Sequence, residues 1–403
     1  MPDLPVVCVF GAENIILKSA PAPHFEADEM DCRCYKTDEN LYAILASDRP
    51  AAIASFGDLK SFPLLNNAPF SVRRMWLHFD DFSDLDKKGM AVFSCVVNNM
   101  LIQRNEFPVV TVFTPTYKTG DKIFRPYNSL LGQTYRDWEW VIIDDSHDSD
   151  KTFNTLNDLA KRDYRIRIYK SNQPSGVIGN LKREACDLGR GEYLLELDHD
   201  DELTPQALEW TIKAYSQHPE VGFIYSDFAE CYEDGTPFVY NPGWGLGYGT
   251  YREEIHNGIK YVVVNSPRIN AKTIRHIVAA PNHFRSWRKC VYDEIGGHNS
   301  LIHVGDDYEL MVRTFLHTRM ALIPRMCYVQ YRNQSGNASQ IRNRDIQRLV
   351  RYFSMHYDTQ IHQRLLELGV DDFVWEEGSP AFYRLGGANQ QPESHCTVII
   401  NDL

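Results

Sequence analysis

Three aspartates, Asp198, Asp200 and Asp201, follow directly on the run Tyr193-Leu194-Leu195-Glu196-Leu197. The run alternates as a strand does: Leu195 and Leu197 share one face, and Asp198 and Asp200 share a side beyond it. Carboxylates delivered to one point by a buried strand suit a hard cation, Mg2+ or Mn2+. Such ions take oxygen ligands from one or two carboxylates and from the phosphates of a substrate. An isolated D-x-D is more often a solvated acidic turn, so its surroundings must decide. Pro205 and the segment from Ala207 to Ile212 open a helix just beyond.

Those surroundings repeat one rhythm. Val109 to Thr114 is a near-continuous β-branched run of the kind buried in parallel sheets, and it ends at Pro115-Thr116-Tyr117. Phe124, Tyr127, Leu130 and Leu131 fall at helical spacing, and the next strand, Trp138 to Ile143, ends in Asp144-Asp145. Helix, strand, helix and strand follow at Thr152 to Lys161, Ile166 to Tyr169, Asn180 to Leu188 and Tyr193 to Leu197. This alternation predicts an α/β fold with a doubly wound, mostly parallel sheet, whose ligands sit beyond the strand C-termini. Tyr117, Asp145 and Asp198 to Asp201 all lie at such ends.

Residues 1–104 read as a smaller α/β domain, with strands expected at Val6 to Phe10, Tyr42 to Ala46, Ala51 to Phe56 and Met90 to Val97. No G-x-G-x-x-G turn accompanies them, so no dinucleotide is expected there. Arg104-Asn105-Glu106 marks a polar boundary to a main domain over 105–345, and 346–403 reads as a helical C-terminal extension. With 43% hydrophobic residues the chain has material for more than one core, and its net charge of −12 argues against nucleic-acid binding. Nine scattered cysteines do not resemble a secreted disulfide framework. The start reads as a first strand rather than a signal peptide, and no run has the length of a membrane span. A cytoplasmic protein is expected, with peripheral membrane contact left open.

Pro115-Thr116-Tyr117, the stretch Ser129 to Glu139, Val141 to Ser146, and Gly191-Glu192-Tyr193 leading into Leu197 to Asp201 together resemble family 2 glycosyltransferases of the GT-A fold. The resemblance covers about residues 108 to 345, with the motifs in the family's order. It implies an inverting transferase that uses a nucleotide-diphosphate sugar, UDP by default, a divalent metal, and a glycan or lipid-linked acceptor. Pro115, Thr116, Tyr117 and Asp145 would then surround the nucleotide, Asp198 the ribose, and Asp200 the metal, with Asp198 or Asp201 assisting. His199 stands where a serine or cysteine is common. The family's acidic pair, usually Glu-Asp, corresponds to Asp306-Asp307 at a helix start, with Asp307 in the register of the catalytic base and Asp306 in that of its partner. Acidic residues there also suit simple capping.

Other candidates are weaker. Lys182, in a Gly-rich helix entry, could meet a phosphate or lie on a solvated helix face. Trp244, in a Gly-rich aromatic loop, and His283 and Trp287, after a short apolar run, are placed on the acceptor side. A lone histidine is more often satisfied structurally than a ligand. Two further readings stay open: a sugar nucleotidyltransferase, which would want a Gly-rich triphosphate loop after the first strand, and a catalytically degenerate sugar-binding module.

Overall fold

The computed structural model describes residues 4–17, 30–68, 70–73, 75–86, 88–89, 91–93, 95–96, 109–163, 165–241, 244–256, 258–277, 281–333, 341–381 and 394–403. The chain divides into two compact units, residues 1–107 with 157–164, and residues 108–156 with 165–403. The expected boundary at Arg104 to Glu106 lies outside the described residues.

The first unit holds a four-stranded parallel sheet in the order β2-β1-β3-β4, made of β1 (Val6–Phe10), β2 (Asp31–Tyr35), β3 (Ala52–Phe56) and β4 (Trp76–Phe79). Its central strands are apolar and enclosed, as parallel strands covered on both faces must be. Two expected strands are helical instead. Tyr42 to Ala46 lies inside α1 (Leu41–Asp48), because Leu41, Ile44 and Leu45 recur at helical spacing and pack together against one core. The described residues between Met90 and Val97 are also helical, and Val92, Phe93 and Val96 turn inward from one side.

The second unit is built on a mixed sheet in the order β11-β12-β10-β13-β8-β5-β6-β7, with β14 beside β10. Its parallel half comprises β5 (Val110–Thr116), β6 (Trp138–Asp144), β7 (Ile166–Lys170) and β8 (Tyr193–Glu196), linked through α2 (Phe124–Leu131), α3 (Lys151–Arg162) and α4 (Ile178–Leu188). Every residue of β5 and β6 is buried. After β9 (Glu202–Leu203) and α5 (Ala207–Gln217) come β10 (Val221–Tyr232), β11 (Thr250–His256), β12 (Ile259–Asn265) and β13 (Arg285–Arg288). β13 runs antiparallel between β8 and β10. α6 (Lys289–Glu294), α7 (Asp306–His317) and β14 (Arg319–Arg332) complete this half. Gly305 enters α7 at φ 71°, a left-handed conformation that a side chain would strain.

The C-terminal segment is part of this body. Val350 of α8 (Asn343–His356) and Ile361 and Leu365 of α9 (Asp358–Glu367) share one core with Phe113, Val141, Trp287 and Leu310. β15 (Val398–Ile399) adds to β14, and the fully buried Arg275 holds Asp358 at 2.8 Å and Asp372 at 2.7 Å.

Candidate active site

The ends of β5, β6 and β8 lie side by side because the strands are parallel and in register, Thr116 opposite Asp144 and Phe113 opposite Glu196. Pro115 and Thr116 are buried in β5, and the Thr116 hydroxyl donates to Asp144 at 3.2 Å. Tyr117 leaves the sheet with 57% of its surface exposed, and the Lys118 ammonium lies over its ring, 5.0 Å from the centroid. Asp145 is buried and accepts from the Ser171 hydroxyl at 2.5 Å and the Ser175 N–H at 3.0 Å, which anchors the loop after β7.

The acidic turn after β8 is braced on three sides. His199 meets the Thr119 hydroxyl through Nδ1 at 2.9 Å, so this histidine fastens the turn to the loop after β5. Arg125 donates to the Asp200 carbonyl. The Tyr328 hydroxyl, from β14, accepts from the Asp198 N–H at 3.1 Å and donates to Asp201 at 2.9 Å; the Tyr331 N–H holds the other Asp201 oxygen at 2.7 Å. His283 stacks on Tyr328 with ring centroids 4.7 Å apart. Asp198, Asp201 and His283 thereby present ligand atoms within 4.8 Å of one another.

Burial pushes the carboxyl of Asp201 well above its ordinary value, and Asp200 and Asp198 push it further. Asp200 is raised as well, by burial first and by Asp198, against His199, Lys122 and Arg125. A turn short of positive charge and rich in oxygen donors fits a divalent cation. Asp200 lies outside the tight cluster, and among the described residues its carboxylate makes no hydrogen bond or ion pair.

A second acidic group stands at the start of α7. Asp307 is partly open and accepts from Arg285 Nη1 at 3.2 Å and from the Tyr308 N–H at 2.8 Å. Burial alone would raise its carboxyl, but Arg285 and Lys182 outweigh that and hold it below the ordinary range. Its neighbour Asp306 is only 5% exposed, and among the described residues its Oδ2 has no hydrogen-bond partner. Burial raises Asp306 to about 6 against the pull of Lys182 and with the push of Asp307. A Cβ at Gly179 would come within 3.0 Å of Asp306 Oδ2, so the bare backbone of the α4 entry is what lets the two elements close.

Residues 111–269 match glycosyl transferase family 2. The chain carries a family 2 glycosyltransferase domain. Chondroitin synthase of Pasteurella multocida is 25% identical over 269 residues, covering 67% of this chain and 25% of that protein. Hyaluronan synthase of Pasteurella multocida is 24% identical over 273 residues, covering 68% and 25%. The chain thus spans about a quarter of the length of these relatives. Among solved structures, S. aureus TarS 1-349 in complex with UDP-GlcNAc covers 64% of this chain and 72% of that one at 16% identity, with a TM-score of 0.46. Tyr117, Asp145 and the acidic turn fall inside the family 2 match; His283, Asp306 and Asp307 lie beyond it.

Several expected site residues sit otherwise than the sequence suggested. Lys182 is buried on the inner face of α4 and paired with Glu196, so it is neither on a solvated face nor open to a phosphate. Trp287 has no exposed surface: it packs on Phe113, Phe223 and Tyr292 and donates to Thr314 at 3.1 Å, which removes it from the acceptor side. The Trp244 side chain and residues 334–340 of the polar loop after β14 are outside what is described. Glu196, Arg285 and Tyr328 were missed. Glu196 carried a signal, since an acid between two leucines of a buried strand must find a cation.

Proposed function

We propose that this chain is an inverting glycosyltransferase that moves a sugar from a nucleotide-diphosphate donor, UDP by default, to a hydroxyl of a glycan or lipid-linked acceptor. The observation that carries the reading is the pairing of two separate acidic centres in a unit containing the family 2 domain: the turn Asp198 to Asp201, and Asp307 held ionised by Arg285. Tyr117 supplies an exposed face for the base and Asp145 the edge beside it, while Asp198 faces the ribose. Asp198 and Asp200 would hold Mg2+ or Mn2+, with Asp201 and His283 adjacent; the cation supplies charge neutralisation on the departing diphosphate. Tyr328 and Tyr331 keep the turn rigid. Asp307 accepts the proton of the acceptor hydroxyl as that oxygen attacks, and a single displacement inverts the anomeric carbon.

Nucleotidyl transfer is disfavoured by Pro115-Thr116-Tyr117, which offers no Gly-rich triphosphate loop after β5. No helix among the described residues is long and apolar enough to cross a membrane. A cytoplasmic enzyme resting on the membrane surface is supported by α8, which turns Arg344, Arg348, Arg351, Tyr352 and Met355 outward. A thermal-shift panel of nucleotide sugars with and without Mn2+, followed by turnover of whichever stabilises, tests the function. Metal-dependent stabilisation and sugar release to an acceptor are expected; stabilisation without any turnover would favour a sugar-binding module.

A further inference from the structure

Between the acidic turn and the start of α7 runs a line of buried charges, Glu196, Lys182 and Arg285, of which the reaction above uses only the pull of Arg285 on Asp307. Glu196 is wholly enclosed, and Lys182 and Arg285 converge on it, Arg285 Nε at 2.9 Å from Glu196 Oε2. The antiparallel register of β13 on β8, Ser286 opposite Leu195, sets Arg285 beside Glu196. Arg285 is itself only 4% exposed, and its other arm reaches Asp307 Oδ2 at 3.2 Å. Asp307 Oδ1 is taken by the Tyr308 N–H. Each oxygen of this carboxylate therefore has one fixed donor, one from the backbone of α7 and one from β13.

We propose that Arg285, clamped by Glu196, is a positioning residue that fixes the Asp307 carboxylate in one orientation and in its ionised form for proton abstraction. This rests on the reading of Asp307 as the base. The planar guanidinium faces both carboxylates from fixed positions, donating to Asp307 and pairing by charge with Glu196, a fixed geometry that a rotating ammonium does not hold. It also couples the two halves of the site: Glu196 lies two residues before Asp198 on the same chain segment, so displacement of the acidic turn is felt at Arg285.

The groups facing Asp307 are Arg285 from β13, Lys182 from α4, Glu196 from β8, Asp306 on its own helix and His298 from the loop before it. Burial holds His298 down at about 3, with Lys182 and Arg285 against its protonation, so it adds no positive charge near neutrality. Removal of the Arg285 guanidinium leaves Lys182, already paired with Glu196, as the remaining cation. The Asp307 carboxyl must then rise.

The full chain labelled with 13C-carboxyl aspartate allows Asp307 to be titrated by NMR, its signal identified by its loss in Asp307→Asn. In Arg285→Gln its midpoint should move up by about 1–3 pH units, the span that a neighbouring arginine accounts for, and the acid limb of kcat should move with it. Arg285→Lys, which keeps the charge, should fall between the parent and Arg285→Gln and carries the test if the glutamine variant does not fold. An Asp307 midpoint equal to the parent's in the folded variants overturns the proposal. Undiminished turnover in Asp307→Asn would instead remove the base assignment and leave the titration result standing, so the two failures are distinguishable.

Discussion

A carboxylate acts as a base near neutral pH only if it is ionised and open to the acceptor, and the two aspartates opening α7 differ on both counts. Asp307 is held low by Arg285 and Lys182 and is partly open; Asp306 is enclosed and raised to about 6. Asp307→Asn should lose about 10²–10⁴-fold in turnover while keeping nucleotide and metal affinity by calorimetry. A dead Asp306→Asn beside an active Asp307→Asn would move the role one residue back. Asp200→Asn should lose metal-linked UDP affinity with an intact fold; unchanged calorimetric affinity would reject the ligand assignment. Asp306 also predicts a pH effect on stability. Between the ordinary carboxyl value of about 4 and its native value of about 6, the folded state retains a proton that the unfolded chain has released. Stability therefore falls as pH rises through that window, and Asp306→Asn should flatten the slope in urea unfolding. The acidic pairs were legible in the sequence because carboxylates at element boundaries stand out against apolar runs. Arg285 and Tyr328 were not, since their roles depend on β13 and β14 arriving beside β8 and β9, pairings that no local spacing encodes.

At the scale of elements, long parallel-sheet strands announced themselves, because burial on both faces demands continuous apolar β-branched residues. β5, β6 and β8 stand within two residues of their expected ends. Short apolar stretches did not: Tyr42 to Ala46 is compatible with strand or helix until its neighbours choose one face of it. The C-terminal segment was legible as helical but silent on what it packs against, because Arg275, Asp358 and Asp372 are far apart in the chain. That buried triad predicts a measurable effect. Asp372→Ala leaves the Arg275 guanidinium, fully enclosed, without its two-pronged partner. Breaking a buried pair from one side costs about 3–5 kcal/mol, so urea unfolding should show a loss of that order. A loss below about 1 kcal/mol, the range of exposed pairs, would show that the segment is held by its apolar contacts alone.

The whole molecule carries a net charge of −12, so an exposed basic stripe has to be explained against that background. On α8, Arg344, Arg348 and Arg351 follow at steps of four and three residues, which places them on one face. Among the described residues none of the three makes an ion pair, and Tyr352 and Met355 continue the face with 59% and 46% of their surface exposed. Arginines beside an aromatic ring and a flexible apolar side chain match an anionic lipid surface, where headgroups take the charge and the interface takes the ring. Each such arginine is worth about 1 kcal/mol at an anionic membrane, so the three together should change the partition by roughly a hundredfold. Flotation of the full chain with phosphatidylglycerol vesicles should recover the protein. Phosphatidylcholine vesicles, or the triple exchange of Arg344, Arg348 and Arg351 for glutamate, should not. Salt well above physiological strength should release the parent, because exposed charges are screened within a Debye length of about 8 Å at ordinary ionic strength and less beyond it. Equal flotation on neutral vesicles would assign the attraction to Tyr352 and Met355 instead of the arginines, and absence of flotation on either would overturn the membrane reading while leaving the transferase chemistry untouched.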